Sequence, residues 1–154
     1  MAAEWNLRVA TTEADILKVM VVRGIVFIEE QQVDWEGEID EFETEAVHFL
    51  GEVAGQPVAT GRLRSLGDGR AKIERIAVRP AWRGQGYAQK MMHFVLDHAA
   101  ARGLRVDYQV HGDARPIESE AVSLVFATVQ EALSNIAKRF RLRASGELGA
   151  PPRT

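Results

Sequence analysis

Arg83, Gly84 and Gly86 are the residues of this 154-residue chain whose types and spacing most clearly suggest chemistry. They follow an apolar run that ends at Val78 and precede a segment with helical periodicity from Ala88. A glycine-rich turn before a helix leaves backbone N–H groups unpaired at the positive end of the helix dipole. Glycine also lets an oxygen atom approach the backbone where a Cβ would intrude. We therefore predict a site for a phosphate or pyrophosphate group at this turn.

Two widespread phosphate-binding motifs are absent from the chain. The P-loop needs a Gly-Lys-Ser or Gly-Lys-Thr step, and no lysine is followed by serine or threonine. The dinucleotide fingerprint needs a third glycine at the place of Gln89. The pattern present is Arg-x-x-Gly-x-Ala over residues 83–88. An ordinary strand-to-helix turn is the alternative interpretation, but the strand before it and the helix after it favour a binding site.

Composition limits the kinds of protein that the chain can be. Its 154 residues suit one domain, 46% of them are apolar, and the net charge of −3 gives no bulk attraction to nucleic acid. No segment approaches a membrane span, and the first residues lack the basic and apolar parts of a signal peptide. We therefore expect a cytoplasmic protein without nucleic-acid or membrane partners.

The chain has no cysteine. This excludes disulfides, thiolate zinc sites and a cysteine nucleophile. His93 and His98 lie five positions apart on a predicted helix, whereas a metal-binding pair needs a separation of four. We predict no metal site.

Charge is unevenly distributed along the chain. Residues 29–45 contain nine acidic residues and no basic one, while residues 138–154 are predominantly basic. Two interpretations of the acidic segment stay open. It is either a solvated loop, or it lines the edge of a cleft and attracts a cationic amine substrate.

Apolar alternation and turn residues predict five strands. Gly55-Gln56 and Gly67-Asp68-Gly69 supply tight turns, so the second, third and fourth strands should form consecutive hairpins. The predicted strands span residues 5–10, 46–54, 57–65, 70–78 and 104–110. The predicted helices run from a cap at Thr11 or Thr12 to Gln32 with a weak point at Gly24, from Ala88 to a stop at Gly103, and over residues 119–140.

This order of elements predicts an α+β fold. The sheet should be mostly antiparallel, with one β-α-β crossover around the glycine turn. Residues 5–140 would form one domain. Residues 141–154 would form a disordered basic tail.

Several segments outside the glycine turn occur in an order that resembles a known family. With residues 83–88 they resemble the ElaA-like branch of the GNAT acyltransferases, over roughly residues 5–113. The matching segments are Val22–Gln31, Glu38–Phe42, His48–Leu50, Pro57–Arg64 and Lys72–Val78. The resemblance implies a mixed sheet flanked by helices, with a β-α-β core that binds acetyl-CoA as co-substrate.

The resemblance also implies roles for the residues of the motif. Ile76 and Val78 would offer backbone groups to the pantetheine arm of CoA. The pyrophosphate would be held by Arg83, Gly84, Gln85, Gly86, Tyr87 and Ala88.

The chain departs from the family after Ala114. The family usually continues with a Phe-Tyr-x-x-x-Gly-Phe segment, whose tyrosine often lies beside the thioester sulfur. Here no tyrosine follows Tyr108, and no final pair of strands is evident. We expect the C-terminal hairpin of the family to be missing or replaced, which weakens the case for catalysis more than the case for the fold.

Glu74 is the first candidate for the base of an acyl transfer to an amine. Without cysteine, direct attack in a ternary complex is the simpler route, and the amine must then lose a proton. Glu74 lies two residues before Ile76, so both should share a sheet face. Its alternative role is an ion pair with Arg62, Arg64 or Arg75.

Three further residues are candidates for proton transfer. Glu30 is the second candidate base, because by resemblance the first helical pair flanks the acceptor cleft, and its alternative is a solvated helix face. His111 is suited to relay a proton near neutral pH, and its alternative is a loop histidine. Tyr108 is a candidate acid, and its alternative is a packed strand residue.

The sequence thus favours an acetyl-CoA-dependent N-acyltransferase that acts on a small-molecule or protein amine. The alternative is a CoA-binding module with weak catalysis, suggested by the absent Phe-Tyr segment. A third hypothesis is an interaction protein that forms a homodimer through the helix predicted at 119–140.

Overall fold

A computed structural model describes residues 3–106 of the chain. Five strands form one sheet, in which they neighbour each other in sequence order. The first four strands pair antiparallel, and the fifth pairs parallel with the fourth. The strands are β1 (Trp5–Val9), β2 (Val47–Val53), β3 (Gln56–Ser65), β4 (Arg70–Val78) and β5 (Arg105–Val106).

The helices connect β1 to β2 and β4 to β5. The hydroxyl of Thr12 caps the first of them, accepting a hydrogen bond from Asp15 N at 3.1 Å. This helix changes from α to π at Gly24, the predicted weak point. Within residues 3–106, no helix is long and apolar enough to cross a lipid bilayer. The elements are α1 (Glu13–Arg23), a π-helix (Gly24–Glu30), α2 (Trp35–Glu38), a 3-10 turn (Pro80–Trp82) and α3 (Tyr87–Ala101).

The sheet lies between α3 on one face and α1 on the other. Because side chains alternate across a strand, neighbouring residues pack on different faces. In β2, Phe49 packs with α3 and Leu50 packs with α1. The same alternation separates Ala77 from Val78 at the end of β4. Burial on both faces fixes the register of β4, whose end leads into the glycine turn.

A β-bulge interrupts the alternation in β4. Thr60 pairs with Ala77 but Arg62 pairs with Glu74, so two residues of β4 oppose one residue of β3. Arg75 lies in this extra step and has a φ of 54°, in the left-handed region that L-residues seldom adopt.

The bulge places Glu74 and Ile76 on opposite faces of the sheet. A Cβ on Gly61 would lie 2.8 Å from Ile76 Cδ1 and 3.3 Å from Val95 Cγ2, so Ile76 faces α3. Glu74 instead contacts Arg62, the residue after Gly61, whose side chain leaves the opposite face. The predicted shared face is therefore wrong, because period-two spacing does not hold across an extra residue.

The predicted fold class is confirmed: antiparallel hairpins are followed by a β4-α3-β5 crossover. The acidic segment at 29–45 contains the short α2. Four predictions lie outside the described residues: the strand end at 107–110, the helix at 119–140, the altered C-terminal hairpin and the tail at 141–154. The domain boundaries 5–140 stay a prediction.

Candidate functional site

Ile76 and Val78 direct their backbone groups to the edge of β4 that faces β5. Arg79 N donates to Val58 O of β3 at 2.9 Å, whereas Val78 O accepts a hydrogen bond from Arg83 Nε at 2.9 Å. Because backbone groups alternate between the two edges of a strand, those of Ile76 and Val78 point away from β3. The two residues predicted to contact a pantetheine arm therefore share one strand edge.

Gly84 and Gly86 form an open turn at the N-terminus of α3. Their φ angles are 76° and 84°, a region that costs an L-residue roughly 1–2 kcal/mol. No heavy atom lies within 4 Å of a Cβ built on either glycine. Gly86 is the N-cap of α3, which has no side-chain cap, so the first N–H groups of the helix lack an intrahelical acceptor. The open space and these donors fit a phosphate group.

Arg83 connects the glycine turn with the π-helix. Its Nη1 and Nη2 donate to the two carboxylate oxygens of Glu30 at 2.8 and 2.6 Å. Its Nε donates to Val78 O at 2.9 Å. The structure thus joins two residues that were predicted separately as a phosphate ligand and a base. They are 53 residues apart, and no spacing rule in the sequence pairs them.

Tyr87 anchors the first turn of α3 through its ring. The ring stacks on Trp5 with centroids 4.6 Å apart and meets the edge of Trp82 at 6.3 Å. Trp5 in turn lies over Gly51, where a Cβ would come 2.2 Å from its ring. A glycine inside a strand, such as Gly51 in β2, is a sequence signal of this kind of close approach. Ala88 packs against the main core, so the side chains of both residues are engaged in packing.

Two arginines are almost completely buried beside the acidic segment. Arg23 and Arg62 are each 1% exposed. Arg23 donates to Glu38 at 2.6 Å and to both oxygens of Glu43 at 2.7 and 2.6 Å. Arg62 donates to Glu43 at 3.0 Å and to both oxygens of Asp40 at 2.8 Å. Since a buried guanidinium is stable only when paired, these contacts hold the acidic segment against the sheet.

The acidic segment is therefore divided by its contacts. Four of its carboxylates are paired with arginines: Glu30 with Arg83 at the glycine turn, and Glu38, Asp40 and Glu43 with the two buried arginines. The solvated-loop interpretation is correct only for the exposed remainder, which includes Asp34, Glu36, Glu41 and Glu45. The sequence did carry one signal of the buried contacts, because Arg23 continues the apolar stripe of α1.

Glu74 lies on the other side of Arg62. Its Oε2 accepts from Arg62 at 2.5 Å, and its Oε1 lies 2.9 Å from Lys72 Nζ and 3.3 Å from Arg64 Nη2. Burial by itself raises the pKa of Glu74, but the three cations outweigh burial and lower the pKa to about 2. The ion-paired alternative describes this geometry, and a carboxylate with so low a pKa is a weak base near neutral pH.

His111 and Tyr108 lie outside the described residues, and their roles stay predictions. In the part of the chain that the structure describes, no three His, Cys, Asp or Glu side chains are grouped so that they could hold a metal ion.

Residues 18–115 match the Acetyltransferase (GNAT) family. The uncharacterized protein YyaT of Bacillus subtilis is 36% identical over 113 residues, which cover 71% of this chain and 75% of that protein. The chain belongs to the GNAT acetyltransferase family, as the sequence resemblance predicted.

Solved structures share the fold. ElaA of Escherichia coli is 25% identical with a TM-score of 0.55, over 64% of this chain and 70% of that chain. An acyl-CoA N-acyltransferase of Pseudomonas aeruginosa is 24% identical with a TM-score of 0.57, over 66% and 73%. A GNAT family acetyltransferase of Brucella melitensis, in complex with acetyl-CoA, is 16% identical with a TM-score of 0.58, over 70% and 78%.

Substitution of Arg62 by methionine is expected to make the protein less stable at neutral pH, by about 3–5 kcal/mol in the free energy of unfolding, because buried carboxylates lose their partner. Arg62 also lowers the pKa of Asp40 to about 2, and the pKa of Glu74 is about 2 as well. Both folded values lie below the usual value of about 4, so the stabilisation is complete above about pH 5 and is lost as the pH falls through about 2.

Urea unfolding at several pH values between about 7 and 2.5 measures this effect. The difference between the wild type and Arg62→Met should shrink on acidification. Arg102→Met is the control and should change stability little, because Arg102 is exposed and its side chain makes one hydrogen bond within residues 3–106, to His98 O at 3.3 Å. An Arg62→Met deficit that stays constant over this pH range would contradict the assignment.

Proposed function

We propose that this chain binds acetyl-CoA at the glycine turn and transfers its acetyl group to an amine. One observation carries the proposal: β4 leads into two left-handed glycines, and α3 then begins without a side-chain cap. Such a turn offers several N–H donors and a helix dipole to a pyrophosphate. Because the chain is a GNAT acetyltransferase, CoA is the ligand that we expect at this turn.

Backbone atoms would provide most contacts to the donor. The pantetheine arm would lie along the edge of β4 where Ile76 and Val78 direct their backbone groups. Since Val78 O already accepts a hydrogen bond from Arg83, the N–H of Val78 is the main contact we expect at that residue. The pyrophosphate would be held by the N–H groups of Gly84, Gln85, Gly86, Tyr87 and Ala88, with Arg83 beside them.

The reaction that we propose is direct attack of the amine in a ternary complex. Bound acetyl-CoA supplies an activated acyl group and a thiolate leaving group. The protein aligns the amine, accepts its proton and donates a hydrogen bond from a backbone N–H near Val78 to the carbonyl oxygen. A cysteine acyl-enzyme cannot form, since the chain has no cysteine.

Glu30 is the stronger of the two described candidates for the base. It contacts Arg83 at the glycine turn, whereas Glu74 is held by three cations on the face opposite to Ile76. The proposal also includes His111 as a proton relay and Tyr108 as an acid, both of which lie outside the described residues.

The acceptor that we propose is a cationic small-molecule or protein amine in the cytoplasm. The exposed carboxylates of the acidic segment support this charge preference, because they would raise the local concentration of a cation. A homodimer through residues 119–140 stays a separate hypothesis.

The second candidate function is that of a CoA-binding module with weak catalysis. One observation favours it: both described candidates for the base are held in ion pairs, Glu74 with Arg62 and Glu30 with Arg83. In such a protein the donor site would be complete while proton removal from the amine would be slow.

Calorimetric titration with CoA tests the donor site. The wild type should bind, and Gly86→Asp should weaken binding at least about a hundredfold, because it places a Cβ and a negative charge against the pyrophosphate. Gly69→Asp is the matched control: Gly69 has a φ of 79° and equally open surroundings, but lies in the turn between β3 and β4, at the end of β4 opposite to the glycine turn. Equal affinity of the two variants, or a wild type that does not bind CoA, would reject the site.

Thiol release from acetyl-CoA separates the enzyme from the module. With a panel of primary amines and polyamines, the enzyme should release CoA at a rate that rises with the concentration of one class of amine. Gly69→Asp should retain this rate and Gly86→Asp should lose it. Binding of CoA without amine-dependent release would support the module instead.

A further inference from the structure

Arg83 is held on two sides by protein groups. Its two Nη atoms donate to both oxygens of Glu30, and its Nε donates to Val78 O. These contacts use three of the five N–H donors of the guanidinium. The charge of Arg83 is therefore compensated before any ligand arrives.

The position of Arg83 makes this compensation significant. Arg83 directly precedes Gly84, and α3 begins three residues after Gly84, so the guanidinium belongs to the same turn as the open N–H groups. The carboxylate of Glu30 brings a negative charge to the place where a pyrophosphate would bind. Carboxylate and phosphate oxygens both suit the paired Nη groups of an arginine, and two anions at one cation repel each other.

The pair is also built so that it can open. The side chains of Arg83 and Glu30 are 21% and 35% exposed, and Glu30 is the last residue of the π-helix. An ion pair with this access to water is weak, because water solvates the released carboxylate. By contrast, the arginines that hold the acidic segment are 1% exposed and have no such alternative.

We infer that Glu30 and the pyrophosphate of the donor compete for Arg83, so that donor binding exchanges a carboxylate for a phosphate and releases Glu30. The inference rests on the proposed CoA site. Before the exchange, the ion pair ties the end of the π-helix to the end of β4. After it, the carboxylate of Glu30 has lost its cation while the donor is in place. A base candidate would thus become available only when acetyl-CoA is bound.

Calorimetric affinities for CoA test the exchange without relying on activity. Glu30→Gln should bind CoA about fivefold more tightly than the wild type, the size expected when a partly exposed ion pair no longer competes. Glu29→Gln is the matched control, since Glu29 is an exposed neighbour whose side chain makes no ion pair within residues 3–106. It should stay within about twofold of the wild type. Pantetheine, which has no phosphate, should bind the wild type and Glu30→Gln equally.

Arg83→Gln completes the test as a double-mutant cycle. In the Arg83→Gln background, the gain from Glu30→Gln should disappear, because there is no guanidinium left to free. An unchanged or weaker affinity of Glu30→Gln for CoA would overturn the exchange. Equal gains in affinity in Glu29→Gln and Glu30→Gln would overturn it too, as would a gain that persists without Arg83. A wild type that does not bind CoA would instead reject the proposed function.

Discussion

The bridging carboxylate of Glu43 is the contact on which the rest of the structure depends. One of its oxygens accepts hydrogen bonds from Arg23 of α1 at 2.6 Å and from Arg62 of β3 at 3.0 Å. Two guanidinium groups at 1% exposure would each cost several kcal/mol without such partners. The acidic segment between α1 and β2 must therefore fold back over the sheet. Arg23, Arg62 and part of the acidic segment thus form a buried cluster of ion pairs, next to β4, which leads into the glycine turn.

Two backbone features then build the site at the end of β4. The bulge at Arg75 places Ile76 on the face of the sheet that contacts α3. Glu74 lies on the opposite face, where it pairs with Arg62 and stabilises the fold. Beyond Val78, the left-handed glycines turn the chain into α3, whose first turn is fixed by the ring of Tyr87 on Trp5. The paired strand and the packed helix start would hold the N–H groups of the turn in place for the proposed anion, which would lower the cost of binding.

Local rules of the sequence are sufficient for the five strands and for α1 and α3, but not for the short α2. Alternation predicted β2 to β4, the glycines predicted the hairpin turns, and the apolar stripe of α3 predicted the helix after the glycine turn. The bulge was not predictable, because nothing in the residues from Arg70 to Val78 marks an extra step. The pairing of Glu30 with Arg83 and of Arg62 with Asp40 joins residues distant in sequence, and such contacts depend on how the elements pack. The bulge makes the predicted shared face of Glu74 and Ile76 wrong, whereas the ion pairs of Glu74 with arginines follow the predicted alternative.

The central claim is that the backbone of the glycine turn holds the pyrophosphate of CoA. Amide chemical shifts in ¹⁵N-labelled protein, followed during titration with CoA, test it most directly. The account predicts that the largest shifts fall on Gly84, Gln85, Gly86 and Tyr87, while the amide of Gly69, in the hairpin turn at the other end of β4, stays unchanged. Binding of CoA with unchanged amides at the glycine turn, and with its largest shifts elsewhere in the sheet, would contradict the account.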